Sequence, residues 1–146
     1  MPTTGSCLCG AATFTLSQTP KHMGACHCGQ CRKWSGGVLL SVEIPADAMT
    51  ITAGETIKTY KSSDWGERAF CNACGSSLYF RLTATGPMHG TYYISAGTLD
   101  EGDPMLHEEL FIDEKPAGYA LDGQHKKITG PEFFAMMEEE ATKPQS

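Results

Sequence analysis

The chain has 146 residues, 40% of them apolar and 19% charged, with a formal charge of −6. That length suits one ordinary domain with its own core and is short for two. An acidic balance works against the phosphate attraction that dominates nucleic-acid affinity, and no run of about 18 apolar residues reads as a membrane-spanning helix.

Sixteen glycines and eight prolines cut the chain into short segments rich in β-branched and aromatic residues with period-two alternation. In chain order these predict strands over Ala11–Leu16, Val38–Ile44, Met49–Thr52, Thr56–Tyr60, Arg68–Cys71, Ser77–Leu82, Thr91–Ala96 and Glu109–Ile112. A short helix is expected over Gly29–Trp34 and a second over Pro131–Glu140, where Pro131 and Glu132 suit a helix N-terminus. Phe133, Met136 and Met137 share one face of that second helix, which is expected to cap the core, and Glu138, Glu139 and Glu140 form its solvated end. Residues Thr142–Ser146 read as a frayed tail. The expected class is therefore all-β and mostly antiparallel, with one domain over residues 1–130 and a C-terminal helix and tail over 131–146.

The N-terminal text MPTTGSCLCGAATF has neither the basic region nor the apolar stretch of a secretory signal, so a cytoplasmic, reducing location is expected. There, seven cysteines point to metal more than to disulfides. They form three groups: Cys7 and Cys9; Cys26, Cys28 and Cys31; Cys71 and Cys74. Tetrahedral zinc with Zn–S bonds of about 2.3 Å needs sulfurs about 3.8 Å apart. Cys7 and Cys9, if in a strand, face one side and chelate as a pair. Cys71 and Cys74 form a CxxC turn, with Gly75 suited to the positive φ such a turn needs.

Two partitions satisfy these spacings. One joins Cys7, Cys9, Cys71 and Cys74 into a closed four-sulfur site and leaves Cys26, Cys28 and Cys31 as an open three-sulfur site. The other pairs Cys28 and Cys31 with Cys71 and Cys74 as a zinc ribbon and leaves three cysteines without partners.

The stretches GSCLCGAATF, CHCGQCRKWSGG, YKSSDWGERAFCNACGSSLYF and ISAGTLDEGDP, in that order from about Gly5 to Tyr119, resemble the glutathione-dependent formaldehyde-activating enzyme family. The resemblance implies a β-tent fold and two zinc ions. One is structural, on Cys7, Cys9, Cys71 and Cys74; the other is catalytic, on Cys26, Cys28 and Cys31, with an open position. It further implies a carbon–sulfur lyase that reversibly joins formaldehyde and glutathione to S-(hydroxymethyl)glutathione. Two positions depart from the family pattern: Glu109 stands where His is common, and Gly118 where Trp is common.

Around the open site, His27 in an extended segment points away from Cys26 and Cys28 and is expected to support or pack more than to transfer protons. His22, His89, His107 and His125 lie outside any motif and read as surface residues. Arg32, Lys33 and Arg68 are candidates for substrate carboxylates, or else surface charges, with Glu43 or Glu67 as a partner for Arg68. Ser35, Gly36 and Gly37 form a turn beside the site, and Trp34 and Phe70 wall it or belong to the core. The expected partners are a small thiol and an aldehyde, with no nucleic acid and no membrane. The alternatives are a non-catalytic zinc-binding interaction module and a thiol redox protein using Cys28 and Cys31.

Overall fold

The structure, a computed structural model, describes residues 2–142, with side chains to residue 140. Its strands are β1 (Thr3–Ser6), β2 (Thr13–Leu16), β3 (His22–Cys26), β4 (Leu39–Ile44), β5 (Met49–Ala53), β6 (Ile57–Ser63), β7 (Gly66–Cys71), β8 (Ser77–Leu82), β9 (Tyr92–Ser95), β10 (Met105–Leu110) and β11 (Lys126–Ile128). Two α-helices join them, α1 (Gly29–Ser35) and α2 (Gly130–Thr142). The protein is mostly β, as expected. Among the described residues no helix is long and apolar enough to cross a membrane.

The strands form a three-stranded sheet, β1-β2-β5, and an eight-stranded sheet, β11-β10-β3-β4-β9-β8-β7-β6. All pairs are antiparallel except β10 with β3 and β10 with β11. Parallel pairing there is a departure from the expected antiparallel sheets. It is possible because most of the chain separates β3 from β10, leaving ample length for the crossover.

The core lies between the two sheets. Phe14, Leu16 and Met49 of the smaller sheet meet Val42, Ile44, Ala69, Tyr79 and Ile94 of the larger one, and Cys7 and Cys71 belong to the same buried cluster. Alternation along the strands turns the opposite face of the larger sheet outward. On that face the pairings Arg68↔Phe80, Phe80↔Tyr93 and Tyr93↔Glu43 run as one row across β7, β8, β9 and β4.

Three strands escape the sequence reading: β1, β3 and β11. They are short and carry Gly, His, Cys or Lys where β-formers would be expected, so their neighbours make them strands. The expected strand Glu109–Ile112 instead ends β10 at Leu110. Phe111 takes a left-handed conformation (φ 57°, ψ 47°) and starts a 3-10 turn over Ile112–Glu114.

Helix α2 begins with a capping box: the Glu132 amide donates to Thr129 Oγ1 (3.3 Å) and the Thr129 amide to Glu132 Oε1 (3.0 Å). Its inner face carries Phe133, whose ring lies tilted against Phe111 with centroids 5.2 Å apart, and Met137. Met136 is half exposed and leaves that face, a correction to the expected stripe. Glu140 is half-buried against the Met88–His89 loop and is not part of a solvated end. Of the expected tail, residues 143–146 lie outside the described residues.

Candidate metal centres

The seven thiols gather in two places. The sulfurs of Cys7, Cys9, Cys71 and Cys74 lie within 4.8 Å of one another, and so do those of Cys26, Cys28 and Cys31. The ribbon partition is not the one in space.

Cys7 and Cys9 do not share a strand, contrary to expectation. They lie in the turn that follows β1, closed by the Gly10 amide on the Cys7 carbonyl (3.1 Å). The turn brings their sulfurs to 3.6 Å, and Cys9 Sγ lies 3.8 Å from Cys71 Sγ. Both distances fit the spacing that about 2.3 Å bonds to a tetrahedral zinc require. Cys71 and Cys74 close a second turn, with Gly75 at φ 84° and its amide on the Cys71 carbonyl at 2.7 Å. Hydroxyl groups support the sulfurs: Ser76 Oγ is 3.2 Å from Cys74 Sγ and accepts from the Leu8 amide, while Thr56 Oγ1 is 3.3 Å from Cys71 Sγ. The Ser76 hydroxyl and amide hold the Cys74 thiol down to about 5.

The three-sulfur group sits where β3 runs into α1. Cys26 ends β3, Cys28 is the N-cap of α1 and accepts from the Cys31 amide (3.4 Å), and Cys31 lies buried in the first turn. Hydrogen bonds from Cys26 and Cys31 hold the Cys28 thiol down to about 2, and the same contacts push Cys26 up. One sulfur of the group, Cys28, is thus a ready thiolate, held by the thiols of the other two. Helix α1 is held by Trp34, which stacks on Tyr60 (6.3 Å), meets Phe70 edge-on (5.8 Å) and donates Nε1–H to Ser77 Oγ (2.9 Å). Ser35 donates to the Cys31 carbonyl and Gly36 closes the helix at φ 79°.

Arg68 is buried at 4% exposure beside this group. Its Nη2 donates to Cys31 Sγ at 3.6 Å and its guanidinium lies 5.1 Å from the Phe80 ring centroid, while Nε and Nη1 have no hydrogen-bond partner. Neither expected carboxylate is its partner: Glu67 pairs with Arg81 (3.7 Å) and Glu43 accepts from the Tyr93 hydroxyl (2.8 Å). Arg32 donates Nε–H to the His27 carbonyl (2.9 Å), and Lys33 is exposed.

His27 is fully buried and faces away from the sulfurs. Its Nε2 is 2.7 Å from Glu109 Oε1 and its Nδ1 is 3.1 Å from the Tyr119 hydroxyl. The other Glu109 oxygen pairs with His125, whose side chain is also buried. His125 is therefore not a surface residue, whereas His22, His89 and His107 are exposed. Burial alone would raise the Glu109 carboxyl, but the hydrogen bonds from His125 and His27 outweigh it and hold it below the usual range.

Residues 2–113 match the family described as the glutathione-dependent formaldehyde-activating enzyme. The chain belongs to that family. Two relatives extend the match beyond its motifs. A Schizosaccharomyces pombe protein named "Uncharacterized lyase" is 30% identical over 132 residues, 89% of this chain and 93% of its own. A Halomonas elongata protein named "Putative glutathione-dependent formaldehyde-activating enzyme" is 35% identical over 130 residues, 84% of this chain and 82% of its own. A crystal structure of a Rhodobacter sphaeroides protein superposes with a TM-score of 0.55 at 18% identity, over 70% of this chain and 98% of that one. That likeness is one of fold.

The family match therefore agrees with the resemblance in the cysteine motifs. Sequence reasoning missed the contact of Arg68 with Cys31 and the Glu109–His125 pair. Arg68 had one signal, its place three residues before Cys71 in the same strand. The Glu109 pair joins residues 16 positions apart, Glu109 on β10 and His125 just before β11, and left no local trace.

Proposed function

We propose that the protein is a zinc-dependent carbon–sulfur lyase that joins a thiol to an aldehyde and releases it again, in the manner of S-(hydroxymethyl)glutathione formation. The observation that carries this reading is the open group of three sulfurs, Cys26, Cys28 and Cys31, beside a closed group of four in a chain of this family. The named lyase and formaldehyde-activating relatives support it. We read the architecture as the β-tent of the family, with one domain over residues 1–130 and α2 appended.

In this reading Cys7, Cys9, Cys71 and Cys74 hold a structural zinc at the edge of the core. Cys26, Cys28 and Cys31 hold a second zinc, which supplies a Lewis acid that stabilises a substrate thiolate. The donor set fits: all-sulfur groups at zinc spacing, three of them leaving one tetrahedral position. Arg68 supplies a buried positive charge against Cys31, so that the thiolate group is electrically balanced as a further anionic sulfur approaches. His27, fixed by Glu109 and Tyr119, holds the backbone between Cys26 and Cys28 without facing the reacting atoms. The forward reaction forms one carbon–sulfur bond, and the proton lost by the thiol ends on the aldehyde oxygen.

Cobalt(II) in the three-sulfur site tests this directly. Millimolar glutathione is expected to shift its thiolate charge-transfer and d–d bands in the wild type, and not in Cys28→Ala. Unchanged spectra in the wild type would remove glutathione as a ligand of the site.

A further inference from the structure

Every polar atom of His27 is engaged. Its amide donates to the Leu110 carbonyl (3.0 Å), its carbonyl accepts from Arg32 Nε (2.9 Å), and its ring nitrogens meet Glu109 Oε1 and the Tyr119 hydroxyl. A carboxylate only accepts, so Nε2 of His27 and Nε2 of His125 both donate to Glu109. The three residues form a chain, His125–Glu109–His27, in which no side chain is more than 1% exposed. A polar network buried so completely is rigid while every member is paired and costly once one is lost.

Tyr119 and His125 belong to one segment. Residues 115–125 join the 3-10 turn to β11 without helix or strand, and residues 116–120 and 122–124 are exposed. A stretch so open to water has little apolar burial to hold it in place. Three side chains tie it down instead. Glu114 Oε1 accepts from the Gly29 amide (3.2 Å), one of the unpaired donors in the first turn of α1. The Tyr119 hydroxyl meets His27 Nδ1, and His125 reaches His27 through Glu109. Lys115 donates to the Tyr119 carbonyl and lies 4.7 Å from its ring centroid, which fixes the bend that presents the hydroxyl.

These ties converge on residues 27 and 29, on either side of Cys28. Of the three sulfurs, Cys28 has the least support from regular structure: Cys26 ends β3 and Cys31 lies within α1, whereas Cys28 is the N-cap between them. Its place is therefore set by its two neighbours. Donors held at the metal's spacing beforehand bind it more tightly than donors that must be gathered.

We propose that His125 and Tyr119 are positioning residues for the three-sulfur site: acting through His27, they hold Cys28 where a metal shared with Cys26 and Cys31 requires it. The inference rests on the proposed metal binding at those three cysteines and not on the chemistry that follows.

The four-sulfur group serves as an internal control, because a general loss of stability weakens both sites. Zinc-loaded protein is titrated with a chelator and its stoichiometry followed by native mass spectrometry; Cys28→Ala identifies the step that belongs to the four-sulfur group. Tyr119→Phe and His125→Ala are expected to release zinc from the three-sulfur site at about tenfold less chelator, with the other step unmoved. The cobalt(II) d–d bands of that site, taken as the difference from Cys28→Ala, should shift in both variants. His125→Gln keeps a donor for Glu109 and should restore retention and bands. Tyr119 is 37% exposed and loses only a hydroxyl, so Tyr119→Phe decides the matter by itself if His125→Ala does not fold. Equal weakening of both steps, or an unmoved step with unaltered bands, overturns the inference. The two readings fail separately. Selective zinc loss in the variants without formaldehyde exchange in the wild type keeps the positioning and removes the lyase, whereas exchange in the wild type with unaltered retention in the variants keeps the lyase and removes the positioning.

Discussion

Single residues divide the cysteines into two kinds. Removing Cys28 takes one ligand from a group that lies at a strand–helix junction outside the main core, so Cys28→Ala should remain folded, bind one zinc instead of two and lose activity. Cys71 is fully buried in the core cluster. Cys71→Ala should unfold, because structural zinc contributes on the order of 10 kcal/mol in small domains, comparable to the whole stability of a domain. Zinc stoichiometry by native mass spectrometry and circular dichroism check both outcomes. Glu109 offers a third test at this scale. Glu109→Ala leaves His27 and His125 buried without their carboxylate and should cost about 3 kcal/mol or more, read from urea denaturation. The pH dependence has a definite sign. The folded Glu109 carboxyl lies below its ordinary 4.5. Its contribution is therefore complete above 4.5 and is lost as the pH falls through the lower folded value. The stability gap between wild type and Glu109→Gln should accordingly narrow on acidification below 4.5.

Elements place these residues, and they show where the sequence was legible. Ser77–Leu82 has the alternation of a strand and is one, residue for residue. CNACG announced its own turn, since the positive φ of Gly75 follows from local chemistry. β3 was hidden, because HMGAC has no β-branched residue and becomes a strand through β10 and β4 on either side. Cys7 and Cys9 were grouped correctly but given the wrong backbone: the turn closed at Gly10 was masked by a spacing that a strand would also satisfy. Arg68 was visible as a charge and invisible as a neighbour of Cys31, because that contact spans 37 residues. One close approach tests the β7–β8 scaffold beneath it. A Cβ at Gly66 would fall 2.1 Å from Phe80 Cζ, so Gly66→Ala must displace the ring that lies against Arg68. It should cost about 1–3 kcal/mol by overpacking and lower the midpoint of thermal unfolding.

The whole molecule joins two sites of different purpose. The four-sulfur group ties the turn after β1 to the end of β7 at the edge of the core, while the three-sulfur group lies where the outward face meets α1. Stepwise chelation should reflect that division. Zinc on Cys26, Cys28 and Cys31 is expected to leave first with loss of activity and retention of near-ultraviolet dichroism, and zinc on the other four to leave with unfolding. Catalysis itself is read by exchange spectroscopy of formaldehyde and glutathione with the zinc-loaded protein. The wild type should accelerate exchange with S-(hydroxymethyl)glutathione, and folded Cys28→Ala should not. Exchange at the spontaneous rate in the wild type, or equal acceleration by both proteins, would contradict lyase activity at the three-sulfur site.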